Sequence, residues 1–333
     1  MKVSFCIPTY NRAVYLESLL QSIKLQKSHG LELEICISDN ASEDGTDKLI
    51  PVWEKNFGIP IRYKKHERNI GPDRNYLAAV SLASGDYCWI FGSDDMLQSD
   101  ALAFIESELN KGFDIYLCDR KELDINMSVI KNEHRKWLSN GNKEYIFNDD
   151  NDRINYFNSC KSLGGVFSYL SSIIVKCSAW NNIKFDASFI GTAYPHVYIL
   201  LKILEAQGSS ISYISVPLVL CRGDNDTFES SGKARRILID YMGYFKLSDV
   251  LYNNKQILKK SFENILAKER PYIYTTLMIS SYADSQEKKS YCSYQKRLGH
   301  SKLVTNLLFL FGPAATVLKK SFFLKEMIKK ILK

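Results

Sequence analysis

Tyr87-Cys88-Trp89-Ile90-Phe91-Gly92-Ser93-Asp94-Asp95 is the stretch whose reading decides the fold. Its first five residues form an unbroken apolar run, the mark of a strand covered on both faces. Gly92 then ends the run and two adjacent carboxylates follow. Outward from it, short apolar runs at 3–7, 33–37, 61–64 and 113–118 alternate with helically spaced segments at 14–23, 45–57, 73–83 and 99–110. Strand-helix alternation of this kind predicts an α/β fold built on a doubly wound, mostly parallel sheet. Ligands of such sheets sit beyond the carboxyl ends of the strands.

Three polar clusters fall at those ends: Pro8-Thr9-Tyr10-Asn11-Arg12, Ser38-Asp39-Asn40 running on to Gly45-Thr46, and Ser93-Asp94-Asp95. Ser, Asp and Asn form turns and helix caps without any ligand, so one cluster alone means little. Three on one edge predict a site. Asp94 and Asp95 repel each other unless something positive lies between them. A hard divalent cation, Mn²⁺ or Mg²⁺, suits that pair and bridges carboxylate to diphosphate. No G-x-x-x-x-G-K-[ST] loop and no G-x-G-x-x-G follows the first strand, which disfavours P-loop ATPases and dinucleotide oxidoreductases. A nucleotidyltransferase is the alternative of a different class, but its Gly-rich loop is absent from 8–12.

Of 333 residues, 45% are hydrophobic and 24% charged, within the soluble globular range. The eight cysteines include no C-x-x-C pair, and several lie in apolar runs, so they read as buried hydrophobes of a reducing compartment. The start of the chain reads as a strand rather than a secretory leader. Charge is uneven: residues 253–333 hold 16 Lys/Arg against 5 Asp/Glu, whereas residues 1–252 hold 28 against 32. Charge confined to a tail argues against nucleic acid and for an anionic surface met by the tail.

Taken in order, Pro8-Thr9-Tyr10-Asn11-Arg12, Asp39 with Gly45-Thr46, Asn69-Ile70-Gly71 with Arg74-Asn75, and Ser93-Asp94-Asp95 resemble the motifs of family 2 glycosyltransferases with the GT-A nucleotide-sugar-binding fold. The resemblance implies transfer of a sugar from a nucleotide-diphosphate donor. It places Pro8, Thr9, Tyr10, Arg12, Asp39, Asn69, Arg74, Ser93 and Asp94 at the donor, with Asp95, aided by Asp94, on the metal. Arg222 matches a basic position that reaches the diphosphate; its other reading is an ion pair with Asp224 or Asp226. Ser93 stands where the family's Asp-x-Asp motif has its first acid, which concentrates metal binding on Asp95. Length and the 1–12 run are similar to the O-antigen branch, the abequosyltransferases, which use CDP-linked dideoxyhexoses; a UDP- or dTDP-sugar is the alternative. That branch implies a lipid-linked (undecaprenyl) oligosaccharide acceptor and peripheral attachment to the cytosolic face of the bacterial inner membrane.

The acceptor end departs from the family. An acid near the start of a helix after Phe185-Asp186 is expected as general base, and the chain instead reads Ile190-Gly191-Thr192-Ala193-Tyr194-Pro195-His196. Either His196 is the base, or a retaining reaction needs none, or His196 is an ordinary helix residue. Trp180 and Gly164-Gly165 read as acceptor-cleft lining or core.

In domain terms, 1–120 reads as the nucleotide-sugar part and 121–235 as the acceptor part, with hairpins and loops at 120–160 and strands at 166–175 and 211–221. Residues 236–333 read as a helical, basic C-terminal extension. There, 303–318 is apolar but broken at Asn306 and Gly312-Pro313, too short to span a bilayer. Residues 322–332 form a basic amphipathic helix suited to a membrane interface.

Overall fold

Strand β1 (Lys2–Thr9) is buried over its last seven residues because both of its edges are occupied. β2 (Glu32–Asp39) runs parallel to one edge, with β3 (Ile61–Lys65) beyond it, and β4 (Tyr87–Ile90) runs parallel to the other. Register sets Thr9 opposite Asp39 and Ile90 opposite Cys6, so the residues after β4 emerge on the edge where β1 and β2 end. Helices α1 (Ala13–Lys24), α2 (Thr46–Phe57) and α3 (Pro72–Ser81) make the crossovers. Phe5, Trp89 and Phe91 pack at the centre, the first two stacked at 5.3 Å. Truncating Trp89 there costs about 3–5 kcal/mol. The computed structural model describes residues 1–27, 30–225 and 232–318; the amphipathic segment at 322–332 lies outside them.

Past β4 the sheet becomes mixed. β5 (Met96–Leu97) and α4 (Ala101–Leu109) lead to β6 (Ile115–Leu123), which forms a hairpin with β7 (Ile130–Arg135). β8 (Lys143–Phe147) and α5 (Asp150–Ser159) follow, then β9 (Ile173–Lys176), α6 (Cys177–Asn181), α7 (Pro195–Ile203) and β10 (Ser209–Arg222). The strand order is β3-β2-β1-β4-β9-β6-β10-β5, with β7 on β6 and β8 on β10. The doubly wound α/β class expected from the sequence is present, with antiparallel pairing confined to this second half.

Two local expectations fail. Residues 120–160 contain a helix, α5, started by a reciprocal capping box of Asp149 and Asp152. And 166–175 is a strand only from Ile173 onward. Before it the chain turns, with Phe167 at φ 68°. Leu163–Val166 is a 3-10 turn, and Gly164 lies so close under Trp137 that a Cβ would sit 2.1 Å from the ring.

The chain divides into two units, Met1–Asn225 and Asp226–Lys333. The second is helical: α8 (Lys233–Tyr252), α9 (Gln256–Glu269), α10 (Tyr272–Tyr282), α11 (Ser285–Arg297) and α12 (Lys302–Leu318). Its interior is aromatic, with Tyr241, Tyr244, Phe262 and Tyr291 buried. Asp240 is buried between Arg236 and Arg270, whose ion pairs compensate its charge. α12 runs on through Gly312-Pro313, which interrupt the apolar run without ending the helix. Gly312 is small enough to press on Ser280, and Ser281 donates to its carbonyl at 2.9 Å. No helix among the described residues is long and apolar enough to cross a membrane.

Candidate active site

The loops after β1, β2 and β4 and the turn into α3 are stitched together at one sheet edge. The Asn40 and Asn75 side of this edge closes on the Thr9 carbonyl: Asn40 N donates at 3.0 Å and Asn75 Nδ2 at 3.2 Å. Asn75 also accepts from Ser38 Oγ at 2.7 Å. Asn69 Oδ1 accepts from Asn40 Nδ2 at 2.9 Å and from Gly71 N at 2.8 Å. Gly71, at φ 83°, allows that return of the chain into α3. Asn11 and Asp44 knit the first two loops: Asn11 Oδ1 accepts from Glu43 N, and Asp44 from Ala13 N. The sequence motifs thus converge on one place.

Each expected donor-side residue can be placed. Pro8 and Thr9 are buried at the end of β1, and Tyr10 next to them is 44% exposed. Thr9 Oγ1 is buried and has no hydrogen-bond partner among the described residues. Asp39 is fully buried, accepting from Ser42 N at 2.8 Å and from Tyr63 Oη at 2.6 Å. Arg74 is exposed in the first turn of α3. Ser93 is buried between Gly92 and the acidic pair.

Asp94 and Asp95 diverge in environment although adjacent. Asp94 is half-buried and meets Arg12 Nη1 at 2.5 Å and Asn225 Nδ2 at 2.9 Å. Asp95 is buried and accepts from Tyr169 Oη at 2.6 Å, Ser171 Oγ at 2.5 Å and Arg222 N at 3.1 Å. Arg222 extends past it, donating to the carbonyls of Asp94 (2.9 Å) and Ile125 (2.6 Å), with its guanidinium 4.5 Å over the Tyr15 ring. Arg120 lies 4.0 Å over the face of Tyr169. Arg222 therefore braces the acidic pair, and Asp224 pairs with Lys131 instead. Burial, and then the charge of Asp94, raises the Asp95 carboxyl to about 6 against the pull of Ser171 and Tyr169.

Tyr169, Ser171, Asn225, Arg120 and Tyr15 are missing from the sequence reading. Tyr169 and Ser171 lie in an apolar run that reads as strand, and no spacing rule ties 169–171 to 95. Only the turn at Phe167 brings them there.

At the other side, His196 lies in the first turn of α7, 2% exposed. Its Nε2 hydrogen bonds to the Phe167 carbonyl at 3.0 Å, which makes Nε2 the donor nitrogen. Nδ1 is buried without a partner among the described residues. Burial lowers the imidazole to about 4 despite the Phe167 bond. Neither nitrogen is open to an acceptor hydroxyl, so the expected base role is corrected on geometry: one nitrogen is engaged and the other sealed. Asp73, in α3, accepts from Gly191 N at 2.7 Å and Ala193 N at 3.1 Å, fixing the loop before α7. Burial raises the Asp73 carboxyl. Among the described residues, no hydrogen bond or ion pair joins His196 or Arg74 to the acidic pair. Trp180 is buried, and Gly164-Gly165 pack under Trp137 and Cys160, as core.

The model of the family described as "Glycosyl transferase family 2" matches residues 4–169. Abequosyltransferase RfbV of Salmonella typhimurium is 52% identical over 333 residues, covering 100% of both chains. A Campylobacter jejuni protein named GalNAc(5)-diNAcBac-PP-undecaprenol beta-1,3-glucosyltransferase is 25% identical, covering 78% of this chain and 76% of that protein. The crystal structure of TarS 1–349 from S. aureus has a TM-score of 0.64 at 16% identity, covering 88% of this chain and 79% of that one. The same fragment in complex with UDP-GlcNAc gives 0.61. The fold, the ordered motifs at one sheet edge and the full-length relative agree: the chain belongs to glycosyl transferase family 2 and is a glycosyltransferase of the GT-A fold, resembling the abequosyltransferases.

Proposed function

We propose that the chain transfers a dideoxyhexose, abequose or a close relative, from its CDP-linked donor to a lipid-linked oligosaccharide during O-antigen assembly. The observation that carries this reading is the 52% identity with RfbV over the whole of both chains. The lipid-linked acceptor also agrees with the undecaprenol in the Campylobacter jejuni relative's name. Such an acceptor places the reaction at the cytosolic face of the inner membrane.

A divalent cation fits the donor end. Asp94 and Asp95 offer hard oxygen ligands, and the buried Asp95 carboxyl is met by the Tyr169 and Ser171 hydroxyls and the Arg222 N–H rather than by a side-chain cation. One or two carboxylates plus the donor's phosphates suffice for Mg²⁺ or Mn²⁺. Asp95, with Asp94, would hold it, and its chemistry is that of a Lewis acid neutralising charge on the departing nucleoside diphosphate. Arg12 holds Asp94 in place, and Arg222 holds the backbone of the pair. Tyr169 and Ser171 fix the direction of the Asp95 carboxylate. With His196 sealed, no strong base faces the acceptor from that position, which favours the retaining reaction over the inverting one.

The test is thermal stabilisation and turnover with CDP, UDP, GDP and dTDP and their sugars, with and without Mn²⁺. CDP with Mn²⁺ is expected to stabilise most, and CDP-abequose to be consumed with an α-linked product by NMR. Stabilisation by no nucleotide would overturn the reading, and a preference for UDP or dTDP would replace the donor.

A further inference from the structure

Helix α12 has two unlike faces. One is packed: Thr305 is buried and meets Tyr272 Oη at 2.8 Å, Ser280 Oγ donates to the Phe309 carbonyl at 2.5 Å, and Gly312 seats on Ser280. The opposite face carries Leu303, Leu307, Leu310 and Phe311 at helical spacing, between 50% and 74% exposed. Four large apolar side chains in a row in water are unusual for a packed helical unit. Beside them, α11 and α12 enclose a groove of about 530 Å³. Lys288, Lys289, Lys296 and Lys302 line it, and no carboxylate does. Lys288 reaches over Phe309 at 5.9 Å, and among the described residues none of the four lysines has an ion-pair partner.

The charge decides what covers this surface. The sequence that follows α12, 319–333, carries six lysines and one glutamate, so folding it back would set like charges against the groove. A second copy joined face to face by two-fold symmetry would oppose lysines to lysines. An anionic bilayer matches both features at once: apolar side chains enter the acyl boundary while lysines meet phosphates. Basic residues running on past residue 318 add to the same attraction.

We propose that the α11–α12 face is a membrane-docking site, with the Leu303-Leu307-Leu310-Phe311 stripe in the interface and the lysine groove seating an anionic phospholipid headgroup. The proposal rests on the lipid-linked acceptor reading for its purpose, but its physics is independent of the donor. Docking here holds the enzyme where its acceptor is anchored and raises the local acceptor concentration.

The experiment is sedimentation of the full chain with phosphatidylcholine vesicles, either pure or containing about a third phosphatidylglycerol. Binding is expected with anionic vesicles, weak with neutral ones, and weakened by salt. Each lysine near an anionic surface is worth about fivefold in partitioning, the equivalent of about 1 kcal/mol. K288Q/K289Q/K296Q/K302Q together should therefore reduce binding at least ~100-fold. L307N/L310N should reduce it too, by a loss that persists at high salt. CDP with Mn²⁺ should still stabilise both variants, showing that they are folded. Wild-type binding by the lysine variant would overturn the proposal and leave the 319–333 tail as the anchor. Dimers abolished by L307N/L310N, without vesicle binding, would overturn it in favour of a second copy. Vesicle binding by a wild-type chain that no nucleotide stabilises would sink the donor reading and leave this site standing.

Discussion

The two ends of the active-site edge are built on opposite electrostatic plans. At the Asp94-Asp95 end, two carboxylates gather polar and charged partners: Arg12 sits on Asp94 at 2.5 Å, Arg222 donates to the Asp94 carbonyl, and Tyr169 and Ser171 donate to Asp95. At the α7 end, charge is suppressed. His196 is held neutral by burial, and Asp73 is satisfied by backbone N–H groups while burial pushes its carboxyl upward. The difference teaches where the reaction has charge to manage. A departing nucleoside diphosphate accumulates negative charge, and a sugar hydroxyl does not. On the proposed donor chemistry, ionic groups gathered at one end suit stabilisation of charge that develops on the leaving group.

The strongest way to break that contrast is Asp95→Asn. The amide keeps the shape but cannot carry the charge a cation needs. Turnover is expected to fall by about 10³-fold, and Mn²⁺ with CDP to lose its stabilising effect. Stability of the metal-free protein should hardly move. Asn can keep only part of the bonding to Tyr169, Ser171 and Arg222, but it also removes a carboxylate whose ionised form burial opposes. A variant that turned over within tenfold of wild type would place the charge management elsewhere.

Arg12→Ala sharpens the comparison next. Asp94 then loses its ion pair at about 20% side-chain exposure on both partners and keeps the bond from Asn225. A loss of about 10- to 100-fold in kcat/KM is expected, mostly through donor KM, with Arg12→Lys rescuing part of it because lysine supplies the charge without the fork. Tyr169→Phe is smaller. It deletes one hydrogen bond to Asp95 while keeping the ring under Arg120, so about tenfold in kcat is the expected ceiling, the equivalent of about 1.4 kcal/mol.

These residues also show how far the sequence could be read. The four-strand parallel half is legible because each strand is a short apolar run ended by a polar cluster, and period and punctuation agree from 3 to 118. Asp94 and Asp95 stand out in the sequence as adjacent acids after a buried strand, and register brings them to the edge where β1 and β2 end. Tyr169, Ser171 and Asn225 are not legible. They reach Asp95 and Asp94 from 74 to 131 residues away, and that proximity is set by the left-handed turn at Phe167 and by the end of β10. Helix α5 is missed because its ten residues, DNDRINYFNS, have little apolar periodicity; its Asp149-Asp152 capping box is the one local signal. The base role expected at His196 fails for a related reason. Sequence places it at the right turn of the right helix, but burial is a property of the packing around it.

His196 therefore gives the finest test, because here the expected catalytic effect is almost none. With Nε2 bound to the Phe167 carbonyl and Nδ1 sealed, His196→Gln retains a donor for that carbonyl and should leave kcat within about threefold, since no proton passes through the ring. The same burial predicts a separate effect on stability. The folded imidazole titrates at about 4, and the unfolded one near 6.5. Between those values the unfolded chain binds the extra proton, so stability is intact above about pH 6.5 and declines as pH falls toward 4. At the limit the loss approaches about 3 kcal/mol. Urea midpoints measured from pH 7 to pH 4 should fall more steeply for wild type than for His196→Gln. A kcat loss of 100-fold with unchanged pH dependence of stability would reverse both conclusions: the imidazole would be open to the acceptor, and the neutral end of the site would be its base.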